Sequence, residues 1–402
     1  MKLNVFDAFS GCGGLSLGLE QAGFKVLWAN ENWGPAAETY KKNHKSTQVF
    51  ETDAQELMKS FLNNDNQLPH PGDVDLLVGG PPCQGFSSYN IYSKPDDPRN
   101  SLVETFFDFA NYLKPRYVLM ENVPGMLSMD DGKVIKNIFK TFNEIGYDVR
   151  LNILQAGYYG LPQNRWRVFI FCAKRGLTIP NYPEPECSFI RTTIFGATKF
   201  KENVIKAPNE SNLFWDLKPM TTVGDAIKDL PLIVNGNNNE LFQYQTSQST
   251  NYQKLMKGKC KRIYDHVCAN KGPKIMERIQ LIPKKKKAGW HDLPDHLKPK
   301  NLVRTGSKGY ENRFGRLYWD GIFNTILTEA NPYWGRVIHP EQDRVISVRE
   351  SARAQGIPDK IHFSGRISDK YKQVGNAVPP PLSKAIGKEI IKAYHADSSR
   401  KN

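Results

Sequence analysis

Paired cysteines are missing from this 402-residue chain. Its six cysteines (12, 83, 172, 187, 260 and 268) are scattered, with no C-x-x-C pair among them. That argues against a disulfide framework or a zinc site and fits a reducing intracellular compartment. Long apolar runs are missing too. No stretch approaches the roughly 20 residues that cross a membrane, and Met1-Lys-Leu-Asn-Val-Phe6 leads into a strand rather than a signal peptide's apolar core. The third shortage is of acid. Against 55 Lys and Arg stand only 41 Asp and Glu, a net charge of +14. A surplus of that size favours a polyanionic partner, most commonly nucleic acid.

What is present begins with one stretch. The apolar run Val74-Asp-Leu-Leu-Val78 enters Gly79-Gly-Pro-Pro-Cys83-Gln-Gly-Phe-Ser87. The run reads as a buried strand, and the glycines and prolines stop it sharply. The side chain offered just past that stop is the Cys83 thiol, a nucleophile where a nucleophile is useful.

The chain before it has the same build. A strand over Leu3–Phe9 precedes the glycine turn 10–14 and a helix to Ala22, a combination that brings backbone N–H groups close to a ligand. A second strand, Phe24–Ala29, ends at Glu31-Asn-Trp33. Glu31 lies about 20 residues after Gly11, the spacing at which an acidic residue reaches a ribose hydroxyl. A helix over Pro35–Asn43 and a strand over Thr47–Glu51 lead to Asp53. Past Cys83, a helix from about Leu102 to Leu113 precedes a strand, Arg116–Met120, that ends in Glu121. This alternation predicts an α/β fold with a doubly wound, mostly parallel sheet. In such sheets ligands bind outside the carboxyl ends of the strands, so the glycine turn, Glu31, Asp53, Cys83 and Glu121 share one rim.

Two more strands, Asp148–Leu154 and Arg167–Ala173, flank Gln163-Asn-Arg165-Trp-Arg167, whose arginines at i and i+2 are expected to project together as a polar fork. Beyond Arg175 prolines cluster and the βα alternation lapses. Lys284–Lys287 and the interleaved Arg304, Lys308, Tyr310, Arg313, Phe314, Arg316, Tyr318 and Trp319 suit a surface against phosphates and bases. Regularity returns with a helix at Val348–Gln355 and another from Leu382, expected to pack back on the first sheet. The expected division is residues 1–185, completed by 346–402, as a catalytic and cofactor-binding domain, with 186–345 as a target-recognition domain.

The ordered motifs Phe9-Ser-Gly-Cys-Gly-Gly14, Glu31-Asn-Trp33, Gly80–Ser87, Glu121-Asn-Val123, Gln163–Arg167, Arg349–Gly356 and Gln373–Val378 resemble those of the DNA (cytosine-5) methyltransferases. Gly315–Gly321 and Gly335–Val345 carry a finer resemblance to the catalytic domain of the eukaryotic maintenance-type enzymes, without the regulatory modules usually placed before it. The resemblance implies a Rossmann-like fold and S-adenosyl-L-methionine as cofactor. Phe9 and Trp33 would pack on its adenine, Glu31 would take the ribose hydroxyls and Asp53 the adenine amine. Ser10, Gly11, Gly13, Gly14, Leu15, Asn32, Ala54, Pro81, Asn376 and Val378 would complete the pocket. It also implies a base-flipped cytosine in double-stranded DNA, in a CpG context, and a location in the nucleus for a eukaryotic protein or otherwise in the cytoplasm or nucleoid. Cys83 would add to C6, Glu121 would serve N3, and Arg165 and Arg167 would hold O2 and a neighbouring phosphate. No metal is implied. Two alternatives are a tRNA cytosine-5 methyltransferase and a non-catalytic DNA-binding homologue. The tRNA-modifying relatives carry a proline where Gly85 stands and a Cys-Phe-Thr signature, and the chain has neither.

Overall fold

The computed structural model describes residues 2–63, 68–82, 101–190, 194, 198–206, 217–304 and 311–400. Its chain divides into two compact units, one of residues 1–159, 166–218 and 378–402, the other of 160–165 and 219–377.

The first unit is built on seven strands. They are β1 (Asn4–Ala8), β2 (Lys25–Asn30), β3 (Gln48–Phe50), β4 (Leu76–Gly79), β5 (Tyr117–Asn122), β6 (Tyr147–Gln155) and β7 (Trp166–Lys174), in the spatial order β3-β2-β1-β4-β5-β7-β6. Every pairing from β3 to β5 is parallel, and β7 runs antiparallel between β5 and β6. The helices α1 (Gly14–Ala22), α2 (Gly34–Asn43), α3 (Ala54–Leu62), α4 (Ser101–Leu113) and α5 (Lys133–Glu144) follow β1, β2, β3, β4 and β5 in turn. The doubly wound sheet expected from the sequence is therefore present. Strand order reverses between β1 and β4, which makes their carboxyl ends the switch point where such sheets bind ligands.

The core explains the apolar runs. Phe6, Leu77, Val118, Met120 and Ile170 of the sheet are buried with Phe61 of α3 and Phe106 and Phe109 of α4. Phe109 meets Phe6 edge to face at 5.4 Å and Phe61 at 5.6 Å, the tilted geometry that aromatic quadrupoles favour. Fully buried branched residues on a parallel sheet need helices on both faces.

The composition shift near Pro180–Pro185 does not end the first unit. Glu186 N–H bonds to Tyr158 O at 2.9 Å and Ile205 N–H to Ile153 O at 3.0 Å, so residues up to 218 stay tied to the sheet. Its last piece is α12, Pro380–Ser399, which packs along α1. The contact is close enough that a Cβ on Gly18 would collide with Ser383 Oγ and Pro380 O. At the far end of α12, Asp397 accepts from Tyr117 Oη at 2.7 Å and Thr178 N–H at 2.8 Å.

The second unit holds only short elements: α6 (Val223–Ile227), β8 (Leu241–Gln243), α7 (Asn251–Lys257), β9 (Arg262–Tyr264), α8 (Pro273–Leu281), α9 (Lys300–Arg304), β10 (Gly315–Arg316), β11 (Arg336–Ile338), α10 (Val348–Ala354) and α11 (Ile367–Asn376). Short elements bury little apolar surface, and buried ion pairs take part of the role of a core. Helix α10 is buried all round, charges included. Glu350 accepts from both terminal nitrogens of Arg344 at 2.8 and 2.7 Å, and Arg349 bonds to the carbonyls of Tyr264 and Ile361. These pairs hold residues 346–377 with the second unit, although their regularity suggested return to the first.

That core has a pH signature. Burial pushes the His266 and His339 imidazoles down to about 4 and about 3. Burial alone would raise Glu350, but Arg344 overrides it and holds the carboxyl far below the usual range. All three bind fewer protons folded than unfolded, so their stability is present at neutral pH and is lost as pH falls. The histidines' share goes from about pH 6.5 downward, and the carboxylate's below about pH 4. The urea midpoint of this unit should thus drop between pH 7 and pH 5. A flat profile would show that the imidazoles are not held neutral.

Candidate active site

Strand β1 ends in a backbone that only its surroundings make tolerable. Phe9 takes φ +60°, the left-handed region, and Ser10 N–H is bonded to Asn30 O at 2.9 Å across the β1–β2 edge. Gly11 follows, and its N–H donates to Glu31 Oε2 at 2.8 Å. The other carboxylate oxygen of Glu31 accepts from Trp33 N–H at 2.8 Å. Gly13 has φ +87° and no room for a Cβ, which would collide with His44 Nε2, so glycine is required there twice over. Gly14 and buried Leu15 open α1, whose first N–H groups are turned toward the ends of the strands.

Of the remaining residues expected around an adenosine, Asp53 caps α3 and accepts from Gln55 N–H at 2.8 Å, with buried Ala54 beginning that helix. Trp33 is half-buried and Asn32 exposed. Asn376 ends α11 in the second unit and buried Val378 begins the segment returning to the first. The structure thus brings Phe9–Leu15, Glu31 and Trp33 together on one loop pair and sets Asp53 at the end of β3. A turn with left-handed glycines and a carboxylate at this place fits an adenosine-bearing cofactor.

On the other side of the switch point, Gly80 and Pro81 leave β4. Cys83 and the rest of its motif to Ser87 lie outside the described residues. Their approach is fixed, because Pro81 O accepts from Asn122 Nδ2 at 3.2 Å. The neighbouring Glu121 is opposite Phe169 in the β5–β7 ladder, which places Arg167 diagonally across on the same face. Arg167 Nε meets Glu121 Oε1 at 2.9 Å, with both side chains about nine-tenths buried. Glu121 Oε2 faces Gly80, where a Cβ would stand 3.1 Å away. Glutamine at 121 keeps the shape but loses the charge that Arg167 meets. On the chemistry that the sequence resemblance implies, Glu121→Gln should lower single-turnover methyl transfer by about 10²- to 10⁴-fold with donor affinity unchanged, the usual range for a positioned acid or base. A loss below threefold would remove Glu121 from the reaction.

The expected arginine fork does not form. Arg165 lies ahead of β7, outside the extended backbone that would align it with Arg167. It is buried in the second unit, where its terminal nitrogens donate to the carbonyls of Ile326 at 3.1 Å and of Gly375 and Ala377 at 2.9 Å. Gln163 acts beside it, donating to Ala354 O and Gln355 Oε1. Arg165 is a brace within its unit, and Arg167 is the arginine at Glu121.

The aromatic and basic interleaving of the second unit is real. Arg313 stacks 5.3 Å from the centroid of Trp334, and Arg336 lies 5.3 Å from that of Tyr318, beside Lys286. Lys285 and Lys286 are paired with Asp292 and Asp320, so the lysine run is partly neutralised. Lys308 and Tyr310 lie outside the described residues, as does the side chain of Arg304.

Sequence reasoning passed over one group: Asp7, Ser16, Tyr40 and His44, behind the glycine turn. The available signal was an acid inside the otherwise apolar strand Val5-Phe-Asp-Ala8.

A seven-stranded sheet with one antiparallel strand, a glycine turn after β1 and an acid–arginine pair at the end of β5 define a Rossmann-like methyltransferase. The chain belongs to the C-5 cytosine-specific DNA methylase family, whose model matches residues 3–392. It is 35% identical over 455 residues to DNA (cytosine-5)-methyltransferase PliMCI of Paracentrotus lividus, an alignment covering 97% of the chain and 28% of that protein. To DNA (cytosine-5)-methyltransferase 1 of Mus musculus it is 35% identical over 460 residues, again 97% and 28%. DNA (cytosine-5)-methyltransferase 3 of Arabidopsis thaliana is 37% identical, with 98% of the chain and 31% of the relative covered. The chain thus spans under a third of the length of these relatives. Among solved structures, a prophage-encoded protein of E. coli described as a DNA modification methyltransferase superposes with a TM-score of 0.68 at 25% identity, covering 98% of this chain and 100% of that one. The S. pombe Dnmt2 methyltransferase shares the fold, with a TM-score of 0.50 at 15% identity over 98% and 99% of the two chains.

Proposed function

We propose that the chain methylates C5 of a cytosine extruded from double-stranded DNA, with S-adenosyl-L-methionine as donor and in a CpG context. The observation that carries this reading is the Glu121–Arg167 pair beside Gly80-Pro81, at the switch point that also holds the glycine turn. Phe9, Glu31 and Trp33 would hold the adenosine of the donor, and the turn 11–14 its methionine end. Bound there, the donor supplies an electrophilic methyl group on a sulfonium. Cytosine C5 is too poor a nucleophile to take that group directly. The Cys83 thiolate adds to C6, which gives C5 enamine character. Glu121 holds the proton at N3 and, with Arg167, meets the charge that develops on the ring. Once C5 carries the methyl group, solvent water takes the C5 proton, the electron pair reforms the C5–C6 double bond, and the C6–S bond breaks to return the Cys83 thiolate. Extruding the base costs a few kcal/mol, which the basic and aromatic second unit offsets through phosphate and base contacts.

On this reading the first unit is the catalytic domain, the second the target-recognition domain, and the location nuclear. No helix among the described residues is long and apolar enough to cross a membrane. The test incubates the protein with labelled donor and, in parallel, with paired unmethylated and hemimethylated duplexes and with tRNA, then maps methylated cytosines by sequencing. Label on cytosine C5 in CpG is expected. Label on tRNA alone, or none, would overturn the reading.

A further inference from the structure

Behind the glycine turn lies a chain of buried polar groups that the chemistry above does not use. Asp7, the penultimate residue of β1, points to α1, where its Oδ2 accepts from Ser16 Oγ at 2.5 Å. Ser16 Oγ in turn accepts from Tyr40 Oη of α2 at 2.7 Å. Tyr40 stacks on His44 at 4.3 Å, and His44 Nδ1 stands 3.1 Å from Glu20 Oε1. Asp7, Ser16, Tyr40 and His44 are all buried, and His44 with Tyr40 forms the wall against which Gly13 is pressed. The network therefore connects the floor of the turn to a carboxylate near the surface.

Its charge is unusual. Asp7 has a hydroxyl partner, and the strongest charges acting on it are the carboxylates of Glu31 and Glu20, of its own sign. Strand neighbours supply nothing opposite, since Asp7 is flanked in register by Ala29 of β2 and Val78 of β4. A buried carboxylate without a cation is costly, and such groups cluster at sites where a ligand completes them. Under a turn that would hold a sulfonium, the missing counter-charge is the ligand's own.

We infer that Asp7 is a specificity-determining residue that favours the positively charged methyl donor over its neutral demethylated by-product, acting by charge from beneath the glycine turn. This rests on the donor reading given above. The two compounds share adenosine and amino-acid groups and differ in the methyl group and its sulfonium charge, so their affinity ratio isolates that difference. Burial pushes the Asp7 carboxyl up to about 7, with the Ser16 hydroxyl working against the rise and Glu31 and Glu20 adding to it. The carboxylate form, and with it the preference for the donor, grows as pH rises through that value. Other groups facing the network are Cys12, Tyr40, His44, Glu20 and Glu31. Burial raises Cys12 to about 12 and Tyr40 well above its ordinary value, leaving both neutral across this range.

The test is calorimetric titration of S-adenosyl-L-methionine and S-adenosyl-L-homocysteine into the whole chain between pH 6 and pH 8.5. Wild type should show a donor-to-by-product affinity ratio that rises with pH. Asp7→Asn, which can still accept from Ser16, should lower the ratio at pH 8 by about tenfold, the scale of one charge across a partly buried site, and flatten its pH dependence. Ser16→Ala removes the hydrogen bond that favours the carboxylate, so its ratio should rise at a higher pH than in wild type. An equal loss of affinity for both compounds in Asp7→Asn, or an unmoved ratio, would reduce Asp7 to a brace and overturn the inference. Failure of wild type to bind either compound would instead overturn the functional reading beneath it.

Discussion

On the proposed chemistry, serine in place of Cys83 should lower methyl transfer to duplex DNA by about 10⁴-fold or more, the scale on which an enzyme loses rate when its nucleophile is removed. The change substitutes one atom, and oxygen at that place is both less acidic and less nucleophilic than sulfur. What makes the effect large is the approach to residue 83. Strand β4 is locked between β1 and β5, Pro81 O is held by Asn122, and Glu121 closes against Gly80. Donor affinity should change by less than about twofold, since the glycine turn and Glu31 belong to β1 and the loop after β2. Single-turnover transfer of labelled methyl measures the first quantity and calorimetry the second. Retention of a tenth of the wild-type rate would show that no adduct through residue 83 is needed.

Arg353→Met should destabilise the second unit by about 3–5 kcal/mol, the cost of breaking a buried ion pair on one side. Arg353 of α10 is fully buried between two acids. Its Nε and Nη2 reach Asp359 at 3.0 and 2.7 Å, while Nη1 and Nη2 reach Asp229 at 2.5 and 3.2 Å. Burial alone would raise Asp359, yet Arg353 overrides it and lowers the carboxyl to about 2. Methionine fills most of the volume but strands both carboxylates, and Arg349, 3.8 Å from Asp359, relieves only one. Urea unfolding followed by Trp290, Trp319 and Trp334, all in this unit, reports the change. Adding Asp229→Asn and Asp359→Asn should recover much of the loss, because the cost lies in unpaired charge rather than in a cavity. A drop under 1 kcal/mol would mean that the network is dispensable, and a loss without recovery would place the cost in the cavity instead.

The doubly wound sheet was legible because glycines and prolines punctuate apolar runs of strand length, and each strand end is followed by a polar residue. That signal is local, and it placed Glu31, Asp53 and Glu121 at or just past strand ends. Arg165 was misread for a reason equally local. The i, i+2 rule presumes extended backbone, and the residue precedes β7 and turns to the carbonyls of Ile326, Gly375 and Ala377. The unit boundaries escaped composition altogether. Residues 186–218 look irregular yet hydrogen-bond to the first unit, and α10 carries Arg349, Glu350 and Arg353 although all three are inside. Burial of charge is decided by partners distant in sequence, such as Asp229 and Asp265, and no local pattern announces it. Asp7 differs, since its signal, an acid inside an apolar strand, was local and was passed over.

The seam between α1 and α12 has a consequence for how the protein comes into being. Helix α1 starts on the glycine turn, and its outer face has Gly18 where Ser383 must fit, so the turn is backed by residues translated more than 360 positions later. Domains emerging from the ribosome generally fold N-terminus first. Here the leading strands and helix must wait, with an apolar groove open along α1, until α12 has cleared the exit tunnel. A growing chain is therefore unable to back its glycine turn until Ser383 and its neighbours have emerged.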